Sequence, residues 1–111
     1  MKELSHWIDG KEVKGTSGRF SDVMNPATGE VIAKLPLATP AELDAAVQSA
    51  AKAQLVWAAT NPQRRARVMM KFGDLINQNM DMLAELVSLE HGKTLPDAKG
   101  DVQRGLEVIE V

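Results

Sequence analysis

The 111 residues contain no cysteine. That excludes a disulfide scaffold, a thiolate zinc site and a cysteine nucleophile within them. It also fits a cytosolic compartment, where thiols stay reduced and structural disulfides are rare. Tyrosine is absent too, and the aromatics are two Phe and two Trp. The basic residues therefore lack the interleaved aromatics on which nucleic-acid bases stack. Neither charge sign dominates: 13 Lys plus Arg against 15 Asp plus Glu leave a net charge of −2. A dedicated nucleic-acid binder is usually basic. No run approaches the ~18 continuous apolar residues of a membrane helix. Met1–Trp7 has neither the apolar run of a signal peptide nor the Arg/Ser character of a transit peptide, so a mature soluble start is expected. No Gly-x-Gly-x-x-Gly fingerprint, no Gly-x-Ser-x-Gly elbow, no internal repeat and no low-complexity tract occurs.

What remains is ordinary globular material, 44% hydrophobic and 25% charged. The first 38 residues read as strands and turns. Asp9-Gly10 between Trp7-Ile8 and Lys11-Val13 signals a hairpin, because both turn residues accept positive φ. Phe20–Met24 is a short strand. Asn25-Pro26-Ala27-Thr28-Gly29 is a turn. Glu30–Leu37 alternates, with Val31, Ala33 and Leu35 on one side.

After Pro36 the period changes from two to 3.6. Thr39-Pro40-Ala41-Glu42 is a capping box with Pro at the first helical position. Leu43, Val47, Ala50 and Trp57 follow one face of that helix. Asn61-Pro62 opens a second helix, with a stripe of Val68, Met69, Phe72, Leu75 and Ile76. Asn77-Gln78-Asn79 interrupts it. A third carries Leu83, Leu86, Val87 and Leu89 and stops at His91-Gly92, where Gly supplies a left-handed cap. Thr94 and Asp97 bracket a fourth start, striped by Ala98, Val102, Leu106 and Ile109. That stripe runs into Glu110-Val111 without a cap, so the chain is expected to be the N-terminal piece of a longer protein.

Few residues carry a chemical signal. His91-Gly92-Lys93-Thr94 looks like the end of a phosphate loop. Val87 stands where the loop needs its first Gly, and a helix precedes it where a strand is required, so a helix stop followed by a helix start is the better reading. His6 and His91 have no neighbouring ligand at helical spacing, and no metal site is expected. Arg64, Arg67 and Lys71, with Arg65 beside them, make a basic face, placed opposite the apolar stripe by this reading. It is either a solvated surface or a phosphate-binding one. Arg104 lies off its helix's apolar stripe, with Asp101 and Glu107 three residues to either side. It either pairs with those acids or aims its planar fork at a substrate carboxylate.

Five stretches together resemble a known family. Asn25-Pro26-Ala27-Thr28-Gly29-Glu30-Val31, the helix from Pro40 with Ala50 and Trp57, and Arg64-Arg65-Ala66-Arg67 resemble the opening of the aldehyde dehydrogenase superfamily. Leu89–Leu95 resembles its Glu-x-Gly-Lys corner. Asp97–Glu110 is more specific and resembles the CoA-acylating methylmalonate-semialdehyde dehydrogenases. The resemblance implies an α/β fold, in which a small N-terminal β-unit (1–38) and about four helices (39–111, truncated in the last) open the NAD-binding domain. It implies an enzyme several hundred residues long. That enzyme would oxidise methylmalonate or malonate semialdehyde, with NAD as cofactor and coenzyme A as co-substrate, lose CO2 and yield propionyl-CoA or acetyl-CoA. A cytoplasmic homo-oligomer, dimer or tetramer, is implied, with no nucleic-acid or membrane partner. The nucleophilic Cys and the nucleotide loop would lie beyond residue 111, so these residues alone should be inactive and hold no catalytic or cofactor-binding side chain. One site residue carries over: Arg104, as the substrate-carboxylate ligand.

Two other functions fit the residues themselves. One is an independent helical interaction module using the faces of the second and fourth helices. The other is a small phosphate or nucleotide binder using the Arg64–Lys71 face.

Overall fold

The computed structural model describes residues 2–111. The elements run β1 (Lys2–Glu3), β2 (His6–Ile8), β3 (Lys11–Val13), β4 (Phe20–Met24), β5 (Val31–Pro36), α1 (Pro40–Ala59), α2 (Pro62–Gln78), α3 (Met80–His91) and α4 (Leu95–Glu110). They group into two compact units. One holds the residues up to Met24 with Gly29–Ala59, and the other Asn25–Thr28 with Thr60–Val111.

In the first unit β5 lies between β1, which is parallel to it, and β4, which is antiparallel. The register slips at Val23/Met24, opposite Ala33 and Val31, so Ile32 is the extra residue of a bulge. β2 and β3 form the expected hairpin, with Trp7 opposite Glu12. Asp9 and Gly10 carry φ of 56° and 71°, the two positive values that a tight hairpin turn demands. The loop after β3 is pinned to the end of β5. The Ser17 hydroxyl donates to the Leu37 carbonyl and accepts from the Arg19 N–H, and the Arg19 guanidinium donates to the Ala38 carbonyl at 3.1 Å. Gly15 has no alternative there, because a Cβ would stand 2.6 Å from Pro36 Cβ.

The capping box forms as read. The Thr39 hydroxyl accepts from Glu42 N–H at 3.0 Å, and the Glu42 carboxylate accepts from Thr39 N–H at 2.9 Å. The stripe assigned to α1 is not its packed side: Leu43 is 62% exposed, and half-buried Glu42, Ala46 and Ser49 lie on the inner face. Period alone finds an apolar face, and the available partner decides which face is buried.

In the second unit α4 packs against both α2 and α3. Its stripe is buried as expected, with Ala98 and Leu106 inside and Val102 and Ile109 half-buried. The helices approach through small residues. Ala84 of α3 is buried, and on α2 the buried residue is Gly73, where a Cβ would lie 3.5 Å from Leu106 Cδ1. The α2 stripe is mostly open, with Phe72 48% exposed. Close approach at Gly73 lets α4 meet the α2 backbone, which leaves the larger side chains beside the contact and not in it. Asn61 caps α2 by accepting from Arg64 N–H at 2.9 Å. Gly92 ends α3 with φ +86°, its N–H on the Ser88 carbonyl at 2.8 Å. Among the described residues no helix is long and apolar enough to cross a membrane.

Candidate functional site

α4 starts where the Thr94 hydroxyl accepts from Asp97 N–H. Its buried stripe fixes the rotation of the helix, and that rotation leaves Asp101 half-buried at the edge of the packed side and Arg104 exposed. Of the two acids flanking Arg104, Asp101 takes the guanidinium, through Oδ1 and Nη2. The side chain remains 69% exposed. It lies over Gly100, whose Cβ position would be 3.6 Å from Nη1.

Asp101 has a second cation. Lys93 Nζ reaches its other oxygen, Oδ2. Both side chains of that pair are about 30% exposed. Lys93 is held at the α3–α4 corner, because Ser88 Oγ donates to its carbonyl at 2.6 Å. These two cations keep the Asp101 carboxyl below the ordinary carboxylate range, the Lys93 bond contributing most and the Arg104 bond next. The i,i+3 partnership of Arg104 was readable from helical spacing. The Lys93–Asp101 pair was not, since Lys93 precedes the helix and no period relates the two.

What the cluster can do follows from its donors. Asp101 engages Arg104 through one oxygen and Nη2, and the side chain is largely exposed, so the guanidinium fork keeps free donors. A planar fork of that kind binds a carboxylate in two parallel hydrogen bonds. Three charges, two positive and one negative, leave the group net cationic.

The other sequence candidates are not brought to this cluster. Arg64, Arg67 and Lys71 are exposed on α2 and make no ion pair among the described residues. Nor do they oppose the apolar stripe: Arg67 and Lys71 line one shallow depression with Val68, Phe72 and Leu75. The four-residue steps 64–68–72, 67–71 and 71–75 set these side chains in adjacent rows on the helix surface. Arg65 turns inward, and its Nε has no hydrogen-bond partner. His91 sits in the last turn of α3, where a positive charge suits the helix dipole. His6 is on β2, with Nε2 3.4 Å from Glu42 Oε2, within ion-pair reach but without hydrogen-bond geometry.

The phosphates of a dinucleotide commonly sit at the N-terminus of a helix that follows a strand. The strand-to-helix passage from β5 to α1 is the place where such a phosphate site would lie. Its helix N-terminus already holds the Glu42 carboxylate, which takes the Thr39 N–H and also the Thr16 N–H at 3.3 Å. Those bonds, that of Thr39 N–H first, hold Glu42 below the ordinary carboxylate range. A resident carboxylate repels a phosphate there.

Comparison with known proteins shows the family. Residues 13–111 match the model of the aldehyde dehydrogenase family. The chain is 47% identical, over 94% of its length, to a mouse protein named methylmalonate-semialdehyde/malonate-semialdehyde dehydrogenase [acylating], mitochondrial, of which it covers 19%. It is 44% identical, over 99% of its length, to a malonate-semialdehyde dehydrogenase of Listeria monocytogenes, covering 22% of that protein. Among solved structures it is similar to one from Sinorhizobium meliloti, described as a methylmalonate-semialdehyde dehydrogenase complexed with NAD. Identity there is 65% and the TM-score 0.96, over 99% of this chain and 22% of that one. The chain thus spans about a fifth of the length of the relatives it matches. Its strands and four helices have the form of an N-terminal piece of that fold's α/β NAD-binding domain. The chain belongs to the aldehyde dehydrogenase family.

Proposed function

We propose that these residues open the NAD-binding domain of a CoA-acylating dehydrogenase acting on methylmalonate or malonate semialdehyde. The products would be propionyl-CoA or acetyl-CoA and CO2. Residues 1–38 supply the strand part and residues 39–111 the helical segment. In this reading Arg104 receives the substrate's carboxylate.

The observation that carries the reading is the Arg104 guanidinium. It stands on the outer side of α4, tethered at Nη2 and open elsewhere, within the stretch Asp97–Glu110 that resembles the semialdehyde enzymes. A carboxylate-bearing aldehyde differs from a simple one by a group that such a fork recognises. The names of the relatives support the same substrate class.

NAD, coenzyme A and the nucleophile belong, on this proposal, to the part of the protein outside residues 1–111. This chain has no cysteine. The turn from β5 to α1 is occupied by the Glu42 carboxylate. A homo-oligomer in the cytoplasm completes the proposal.

The test uses the full-length protein with malonate semialdehyde, NAD and coenzyme A, followed by NADH absorbance. NADH formation that depends on coenzyme A is expected. Equal NADH formation with and without it contradicts the acylating assignment.

A further inference from the structure

We propose that Lys93 is a specificity-determining residue, which acts through Asp101 to keep the Arg104 fork open for a substrate carboxylate. The inference rests on the reading of Arg104 given above and adds the means by which that residue is kept available.

A carboxylate three residues before an arginine on one helix is a ready partner for it, and a bidentate pair is the strongest form of that contact. If Asp101 closed on Arg104 through both oxygens, the fork would be occupied and the pair neutral. A substrate carboxylate would then compete with one already in place. Lys93 opposes this closure by position and by charge. It engages Oδ2, so a bidentate guanidinium would have to share that oxygen with the ammonium, and the guanidinium meets Oδ1 alone. It also adds a positive charge, so the trio is net cationic where the pair alone would be neutral. The low protonation range of Asp101 agrees with a carboxylate shared by two cations.

The position of Lys93 is itself fixed. Gly92 turns left-handed just before it, and Ser88 Oγ holds its carbonyl at 2.6 Å. Across Gly100, which carries no side chain, the guanidinium can lie flat along α4. Lys93 is thus a positioning residue: it touches Asp101 and is not required to touch substrate. The His91-Gly92-Lys93-Thr94 stretch, phosphate-loop-like by sequence, gains a purpose unrelated to phosphate.

The experiment compares the full-length enzyme with Lys93→Gln, Lys93→Arg, Arg104→Ala and the double variant Lys93→Gln/Arg104→Ala. Lys99→Gln is the control, since Lys99 pairs with Asp81 outside the cluster. KM and kcat are measured for malonate semialdehyde and for propanal. For Lys93→Gln we expect KM for malonate semialdehyde to rise about threefold to fivefold, with kcat changed little, a size suited to one partly exposed ion pair. Propanal kinetics should change less than KM for the semialdehyde, which also reports that the variant is folded. Lys93→Arg should recover most of the wild-type KM. The double variant should be no worse than Arg104→Ala alone, because Lys93 acts only through that arginine.

A Lys93→Gln enzyme that loses equally on both substrates, or a double variant whose losses multiply, overturns the inference. If Arg104→Ala is selective for the semialdehyde while Lys93→Gln behaves as wild type, the Arg104 reading stands and this inference falls. If Arg104→Ala itself loses equally on both substrates, the earlier reading is the one that fails.

Discussion

In the strand unit, position is fixed by backbone bonds, turns and tight approaches; in the helical unit it is fixed by side-chain burial. The first has the paired register of β1, β5 and β4, the Asp9-Gly10 turn, the Ser17 pins and the Glu42–Thr39 box. Its buried side chains are small, Ala33 and Pro36. The second unit buries Ala84, Ala98 and Leu106 around the close approach at Gly73. The difference shows what a hydrophobic stripe means. α4 has helices on two sides, and its stripe is inside. α1 and α2 have equally readable stripes that stay largely open; on α1 the half-buried positions are Glu42, Ala46 and Ser49, and α2 meets α4 at Gly73.

Substitutions can break that contrast, beginning with the largest effect. Leu106→Ala should cost about 2–5 kcal/mol, read as a lower urea midpoint at constant slope. A cost below about 1 kcal/mol would mean that burial does not hold the helical unit. Gly15→Ala should cost about 1–3 kcal/mol, because the new methyl would meet Pro36 Cβ at 2.6 Å. Gly92→Ala, its counterpart in the helical unit, should cost about 1–2 kcal/mol through the left-handed backbone. If either glycine tolerates alanine without loss in the same urea titration, its stated cause fails: tight approach at Gly15, or left-handed backbone at Gly92.

The capping box gives a smaller and pH-dependent effect. Thr39→Ala should cost about 1 kcal/mol. Glu42 is held below the ordinary carboxylate range, so its contribution is present above that range and is lost as pH falls through it. The wild-type midpoint should therefore drop on acidification more than that of Glu42→Gln. Parallel curves for the two would exclude a charge contribution at α1. Smallest of all is Asp22→Asn. It breaks the exposed Lys34–Asp22 cross-strand pair and should move the midpoint by less than about 1 kcal/mol.

Much of the fold was legible because its signals are local. Asp-Gly demanded positive φ, Thr39-Pro40-x-Glu42 and Asn61-Pro62 demanded helix starts, and Gly92 a stop. The elements fall where those residues put them. What was not legible depends on partners distant in sequence: the inner face of α1, the use of Gly73 in place of Phe72, and the rows that set Arg67 and Lys71 beside Phe72 and not opposite it. The site divides in the same way. Helical spacing offers Arg104 both Asp101 and Glu107, of which the structure uses Asp101, whereas Lys93 joins them only because the Gly92 corner folds back onto α4.

The proposed role of Arg104 rests on a preference between two aldehydes, so the ratio of kcat/KM for malonate semialdehyde to kcat/KM for propanal tests it most directly. In the full-length enzyme Arg104→Ala should lower that ratio about tenfold or more, as expected for a lost charge-assisted bidentate contact. An unchanged ratio, with both substrates losing alike, would contradict carboxylate recognition at Arg104.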